Sequence, residues 1–255
     1  MFKKIILLAA VLFAISKSQA QNEIGGYLLN SITGIYNSAD AGEDFYNNKL
    51  TFSKGIGLNF IHFYKGKKDT RKHSRYGYRI DLIYQGHSQK WTANYKVAKK
   101  TYKEWEGQIR LDYIKLNPLF EISHPYSKHL SLIMFAGPQI SYLIDYDGGL
   151  MSYKLGNTMD RFDLPLQNKG YYHSFTIDGV VGLGIDYEFT KWINLSGGFR
   201  ADVGLTNMDK PNKEIDGIKL YNIDKTRGGS HNYSISLFLG AEYTLHRPEH
   251  AKTRF

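Results

Sequence analysis

The sequence predicts an all-β protein, an eight-stranded antiparallel up-and-down transmembrane β-barrel, and three observations predict it. The first is the stretch Tyr172–Thr206, which reads as two amphipathic strands joined by a tight turn. Phe175, Ile177, Val181, Leu183, Ile185 and Tyr187 fall on every second position, against Thr176, Asp178, Gly182, Gly184 and Asp186. Ile193, Leu195, Phe199, Ala201, Val203 and Leu205 then alternate with Asn194, Ser196, Arg200 and Asp202. Such period-two alternation gives each strand one apolar and one polar face, and each run has the roughly 9–11 residues that a tilted strand needs to cross a bilayer. The second observation is the N-terminus. Lys3 and Lys4, the apolar run Ile5–Ile15 and Ser18-Gln19-Ala20 have the layout of a secretory signal peptide. The third is an alternation of long and short connections, which an up-and-down membrane barrel shows.

The predicted organisation is a signal peptide over 1–20, a barrel domain over 21–246 and a C-terminal tail over 247–255. A chain of this size suits one large all-β domain. It has no cysteine, which removes disulfides and thiolate metal sites. Its 20 tyrosines, 14 phenylalanines and three tryptophans suit strands and interfacial girdles. The formal charge is +9, and +6 without Lys3, Lys4 and Lys17. With no binding motif beside it, that excess points to no nucleic acid.

In chain order, the first two strands, 23–36 and 50–64, alternate weakly. The third, 76–89, sets Tyr78, Ile80, Leu82 and Tyr84 against Arg79, Asp81 and Gln85. The fourth, 104–122, starts with Ile109, Leu111 and Tyr113 against Gln108, Arg110 and Asp112, then slips phase at Tyr113-Ile114. Pro118 follows, and an in-strand proline in an edgeless sheet implies a bulge or a place near the rim. The fifth spans 129–146, the central pair supplies the next two, and the eighth, 232–245, keeps Tyr233, Ile235, Leu237, Leu239, Ala241, Tyr243 and Leu245 in step. Long gaps follow strands one, three, five and seven (37–49, 90–103, 147–170 and 207–231). Short ones follow four and six (123–128 and 188–191), and 65–75 is intermediate.

Several segments of the C-terminal half carry a resemblance. Tyr113-Ile114-Lys115-Leu116-Asn117-Pro118-Leu119, Phe135-Ala136-Gly137-Pro138, Gly182–Tyr187, and Phe199-Arg200 with Gly204–Asn207 resemble the PorT-like outer-membrane β-barrel family of Bacteroidetes. In that family the proline lies nearer the tyrosine, so Asn117 reads as an insertion. Gly240-Ala241-Glu242-Tyr243-Thr244-Leu245 is similar to the C-terminal assembly signal of outer-membrane barrels. The resemblance implies a bacterial outer-membrane protein with a structural, docking or secretion-associated role.

The chemistry-bearing residues are few. The sequence predicts a lumen charge network of Arg79, Asp81, Arg110, Asp112, Asp178, Asp186, Arg200 and Asp202. Mixed signs suit a paired interior that plugs a narrow barrel rather than an ion path. His246 and His250 lack the convergent ligands that zinc requires, and Asp145–Gly149 lacks the closing glutamate of a calcium loop. His129-Leu130-Ser131 resembles the His-x-Ser pair of outer-membrane lipid A deacylases, but strand five would start at the periplasmic rim, away from outer-leaflet lipid. The expectation is therefore no catalytic, cofactor or metal site. The alternatives are a membrane-embedded lipid-modifying enzyme and a soluble periplasmic calyx for an apolar ligand.

Orientation follows from strand parity. With the N-terminus in the periplasm, Lys96, Lys99, Lys100 and Lys103 lie at the cell surface beside Trp91 and Trp105, within reach of outer-membrane lipid and lipopolysaccharide. The basic turn Lys65, Lys67, Lys68, Arg71, Lys72 and Arg75 lies in the periplasm, flanked by Tyr64, Tyr76 and Tyr78. Its charge would steer anionic headgroups or a periplasmic or secretion-machinery protein.

Overall fold

The computed structural model describes residues 21–37, 46–64, 73–97, 100–153, 159–160, 172–208 and 229–246. The expected signal peptide, the tail 247–255, Lys65, Lys67, Lys68, Arg71, Lys72 and Lys99 lie outside the described residues. Eight strands form the wall: β1 (Gln21–Asn37), β2 (Thr51–Phe63), β3 (Arg75–Val97), β4 (Lys100–Pro125), β5 (Leu130–Tyr153), β6 (Phe175–Glu188), β7 (Ile193–Gly204) and β8 (Ser230–His246). Each pairs antiparallel with the next in sequence. β8 returns to β1 in a ladder from Asn22↔His246 to Asn37↔Ser230, which closes the sheet. Two short segments, Tyr46–Lys49 and Met159–Asp160, pair with the far ends of β3 and β5.

The barrel turns its apolar face outward. Leu28, Leu58, Leu82, Leu116, Ile140, Val181, Leu183, Phe199 and Leu239 are each 41% or more exposed. Their inward neighbours Asp81, Gln85, Lys115, Gln139, Asp178, Arg200 and Ser236 are buried. Water does not stabilise such a surface, and hydrocarbon does; a closed barrel leaves no backbone group unpaired at an edge there. Aromatic side chains mark both borders. Tyr64, Tyr76, Tyr187, Trp192 and Tyr243 lie near the short turns, with Trp192 stacked on Tyr243 at 6.2 Å. Tyr36, Phe52, Tyr84, Tyr142 and Phe175 lie towards the long connections, Tyr142 and Phe175 4.8 Å apart.

Several expectations change. The connection predicted over 90–103 is in large part strand, since β3 and β4 stay paired to Val97↔Lys100, and that over 147–170 begins as strand, since β5 runs to Tyr153. The fourth strand does not slip phase. From Ile109 to Ser123 every odd residue is buried, and the even ones face out. What inverts is polarity. Past the belt the outside is water and the inside a dry cap, so Arg110 and Asp112 stand outward while Ile109, Leu111 and Tyr113 stand inward. The bulge lies in the partner strand, where Asp112↔Asp145 is followed by Tyr113↔Leu143 and Ile144 is the extra residue. Pro118 is at neither bulge nor rim; it faces outward in mid-belt. Arg75 is not a turn residue but opens β3, facing inward.

Candidate functional site

The interior of the barrel gathers twelve acidic and basic side chains of the described residues: Glu23, Arg75, Arg79, Asp81, His87, Lys115, Glu121, Asp178, Asp186, Arg200, Asp202 and Glu242. Three Arg-x-Asp sequences lie on β3, β4 and β7, and two of them point inward because their strands present odd or even positions to the lumen accordingly. Arg79 Nε donates to Asp81 Oδ1 at 2.7 Å and its Nη1 to Glu121 Oε2 at 3.5 Å. Asp81 Oδ2 accepts the Tyr27 hydroxyl at 2.9 Å and Arg200 Nη1 at 3.2 Å. Arg200 Nε donates to Asp202 Oδ1 at 2.7 Å and its Nη2 to Gln139 Oε1 at 2.6 Å. Asp202 Oδ2 accepts Lys115 Nζ at 3.1 Å and the Ser234 hydroxyl at 3.2 Å. Lys115 Nζ also donates to Gln85 Oε1 and lies beside His87 Nε2, both at 2.7 Å. Glu121, Arg79, Asp81, Arg200, Asp202 and Lys115 thus make a chain of alternating charge. It ties β3 and β4 to β7 on the opposite wall. Buried charges are tolerated in this arrangement because each meets an opposite charge and further hydrogen bonds.

The registers order the rest by depth. Near the short turns Glu242 accepts Asn59 Nδ2 (3.1 Å) and the Ser196 hydroxyl (2.8 Å), and Glu23 accepts Asn194 Nδ2 (3.3 Å). Arg75 donates to Gln21 Oε1 (2.9 Å) and Ser123 Oγ (3.0 Å), its guanidinium 4.3 Å from the centre of the Phe63 ring. Asp186 lies on the inner face at this end. Above it Tyr27, Leu29, Ile83, Leu119, Ile133, Phe135, Val180 and Phe238 form an apolar cluster. The Phe135 ring lies against Gly182, where a Cβ would collide with it. The Arg79 guanidinium sits 5.3 and 5.0 Å from the ring centres of Tyr27 and Phe135. The ion chain runs at the level of this cluster, with Arg79 beside Leu119, Lys115 beside Ile83 and Asp202 beside Val180; higher still Asp178 Oδ2 accepts Gln139 Nε2 (2.5 Å) and the Ser141 hydroxyl (2.6 Å). At the far end Ile109, Leu111, Tyr113 and Met208 pack with Ile35, Leu143, Tyr146 and Tyr172 into a second apolar cluster. The ion chain is therefore threaded through the lower apolar cluster and capped by the upper one.

Six of the eight predicted lumen residues, Arg79, Asp81, Asp178, Asp186, Arg200 and Asp202, lie on the inner face. The exceptions are Arg110 and Asp112. Their ion pair (3.0 Å) sits on the outer wall, where Asp112 Oδ2 also accepts the Tyr84 hydroxyl at 3.3 Å. The sequence reading missed Lys115, Glu121, Glu23, Glu242, Gln139 and His87. Lys115, Asn117 and Glu121 alternate with Ile114, Leu116 and Phe120, and this was the signal available. Ser131 is half-buried on the inner face and His129 is exposed in the β4–β5 turn, 6.5 Å from the Tyr187 ring. Among the described residues no group of three or more His, Cys, Asp or Glu side chains has the geometry to hold a metal ion.

No family model and no curated protein matches the chain. Among solved structures it is similar to Neisserial surface protein A, with 10% identity over 89% of this chain and 99% of that one and a TM-score of 0.39. It is similar to the outer membrane protein OprG of Pseudomonas aeruginosa, with 10% identity over 89% and 96% and a TM-score of 0.41. Ail, the attachment invasion locus protein of Yersinia pestis, aligns with 11% identity over 88% and 99% and a TM-score of 0.34.

Proposed function

We propose that this chain is a small non-enzymatic barrel of a bacterial outer membrane, with a structural, docking or secretion-associated role exerted by the segments outside the wall. The observation that carries this reading is the filled lumen inside an apolar exterior. Six paired charges cross it and an apolar cluster lies over its far end. A narrow eight-stranded barrel filled in this way leaves no open path along its axis for an ion file. Its work then falls to the surfaces beyond the belt, with lipid, lipopolysaccharide and a periplasmic or secretion-machinery protein as the partner classes. The signal-peptide pattern and the PorT-like segments support the outer membrane as the location.

Fractionation tests the reading. The chain is expected in the outer-membrane pellet, released by detergent, with a gel mobility that shifts on boiling, and without ohmic conductance in planar bilayers. Recovery as a soluble periplasmic protein would overturn it, and so would a steady conductance. Loss of lipid A modification in a His129→Ala or Ser131→Ala strain would establish the enzymatic alternative instead.

A further inference from the structure

The described wall has an interruption midway between its two aromatic borders. The β4–β5 ladder runs to Leu116↔Ile140 and resumes at Phe120↔Ala136, leaving Asn117–Leu119 and Gly137–Gln139 without paired register. The same count sets Pro118 opposite Pro138. A proline has no N–H, so two opposed prolines remove both ladder hydrogen bonds that such a pair would exchange. Gly137 beside them packs closely on the partner strand, where a Cβ would meet Pro118 O at 2.5 Å and Leu119 Cα at 3.0 Å. On the lumen side Asn117 is wholly buried, and neither atom of its amide has a hydrogen-bond partner. The upper β2–β3 wall also loses its backbone pairing above Gly55↔Gln85, but hydroxyls repair it. Ser53 and Thr51 donate to the carbonyls of Gly86 and Ser88, and Ser88 N–H donates to Thr33 Oγ1 at 3.0 Å. The seam at the prolines has no such substitute, because its outward neighbours are Leu116, Ala136, Ile140 and Phe120.

We propose that this seam is a lateral port, where the wall parts and an acyl chain of a surrounding lipid reaches the lumen. The seam lies midway between the two aromatic borders, a depth at which the bilayer offers only acyl chains. Just inside it stand Leu119 and Phe135, both members of the apolar cluster that also holds Tyr27, Val180 and Phe238. Closed, the seam lacks two ladder bonds and carries an unsatisfied buried amide, so parting there costs less than elsewhere along the described belt. The inference rests on the membrane placement proposed above.

The test uses the full barrel in phosphatidylcholine vesicles, with a boiling-dependent gel shift confirming that each variant has folded and inserted. The native chain has no cysteine, so Asn117→Cys reports the seam and Ser236→Cys an equally deep lumen site on β8. A long-chain alkyl maleimide dissolved in the bilayer should label Asn117→Cys about ten-fold faster than Ser236→Cys, as a local opening predicts. Adding Pro118→Val and Pro138→Val, which restores both donors, should bring the rate down to that of Ser236→Cys. Equal rates at the two cysteines, or a seam rate untouched by the valines, would overturn the port. Hydrogen exchange of the unsubstituted barrel gives an independent readout: amides of 116–120 and 136–140 should exchange faster than amides of equal depth on β7 and β8. Equal protection would overturn it as well. A barrel that never shows the gel shift refutes the membrane placement rather than the port.

Discussion

Arg79-Ile80-Asp81, Arg110-Leu111-Asp112 and Arg200-Ala201-Asp202 are the same three-residue pattern with the same Nε–Oδ1 contact, at 2.7, 3.0 and 2.7 Å. Their energetic weight differs with what surrounds them. The Arg200 side chain is 2% exposed and leaves Asp81, Asp202 and Gln139 short of a partner if it is removed. Arg200→Leu should cost about 3–5 kcal/mol, the range for breaking a buried pair and leaving a buried charge behind. The Arg110 side chain is 54% exposed, and Arg110→Leu should cost at most about 1 kcal/mol, as for surface pairs. Urea unfolding midpoints in the same detergent decide between them; equal losses would refute the placement of the two pairs. The pattern itself was legible in the sequence for all three. Which side of the wall it faced was legible only for two, since Arg110 lies where the strand leaves the membrane and the polarity of inside and outside is exchanged.

At the level of the strand, depth governs tolerance. Val181 and Leu183 on β6 face lipid near mid-belt, whereas Leu195 on β7 lies closer to the border marked by Tyr187, Trp192 and Tyr243. Arginine at Val181 or Leu183 should destabilise by about 2–4 kcal/mol, and at Leu195 by clearly less. Folding free energies in lipid vesicles test this, and equal costs at the three sites would count against the register. On the inner side of β6, Gly182 is the seat of the Phe135 ring. Gly182→Val should therefore cost about 1–3 kcal/mol through overpacking, although valine is the better strand former. Retained or raised stability would show that the ring has another place to go.

At the level of the whole barrel, strand parity determines which connections share a side. With eight strands and both ends on one side, single cysteines at Lys99, between β3 and β4, and at Lys68, between β2 and β3, must lie on opposite sides. In intact cells an impermeant thiol reagent should modify Lys99→Cys and spare Lys68→Cys. Modification of Lys68→Cys alone would invert the topology. The barrel also reaches further on one side than on the other: β3, β4 and β5 carry their pairing well past the outer aromatic border, to Val97↔Lys100 and Trp105↔Ser152.

Local periodicity determined the number of strands, their order and the two faces of β3, β6, β7 and β8. Alternation is a property of consecutive residues, and the bilayer imposes one rule on all of them. It also indicated the inward charges Arg79, Asp81, Asp178, Asp186, Arg200 and Asp202, because a charge facing lipid is costly near the midplane. Tertiary structure alone decided three things. It placed Arg110 and Asp112 outside, because the rule relating polarity to side changes at the membrane border, and strand pattern does not mark that border. It joined Lys115 to Asp202 and Arg200 to Asp81, because pairs across a lumen depend on the register of strands far apart in the chain. And it set Pro118 opposite Pro138, two residues twenty positions apart whose separate sequence contexts give no sign that they face one another.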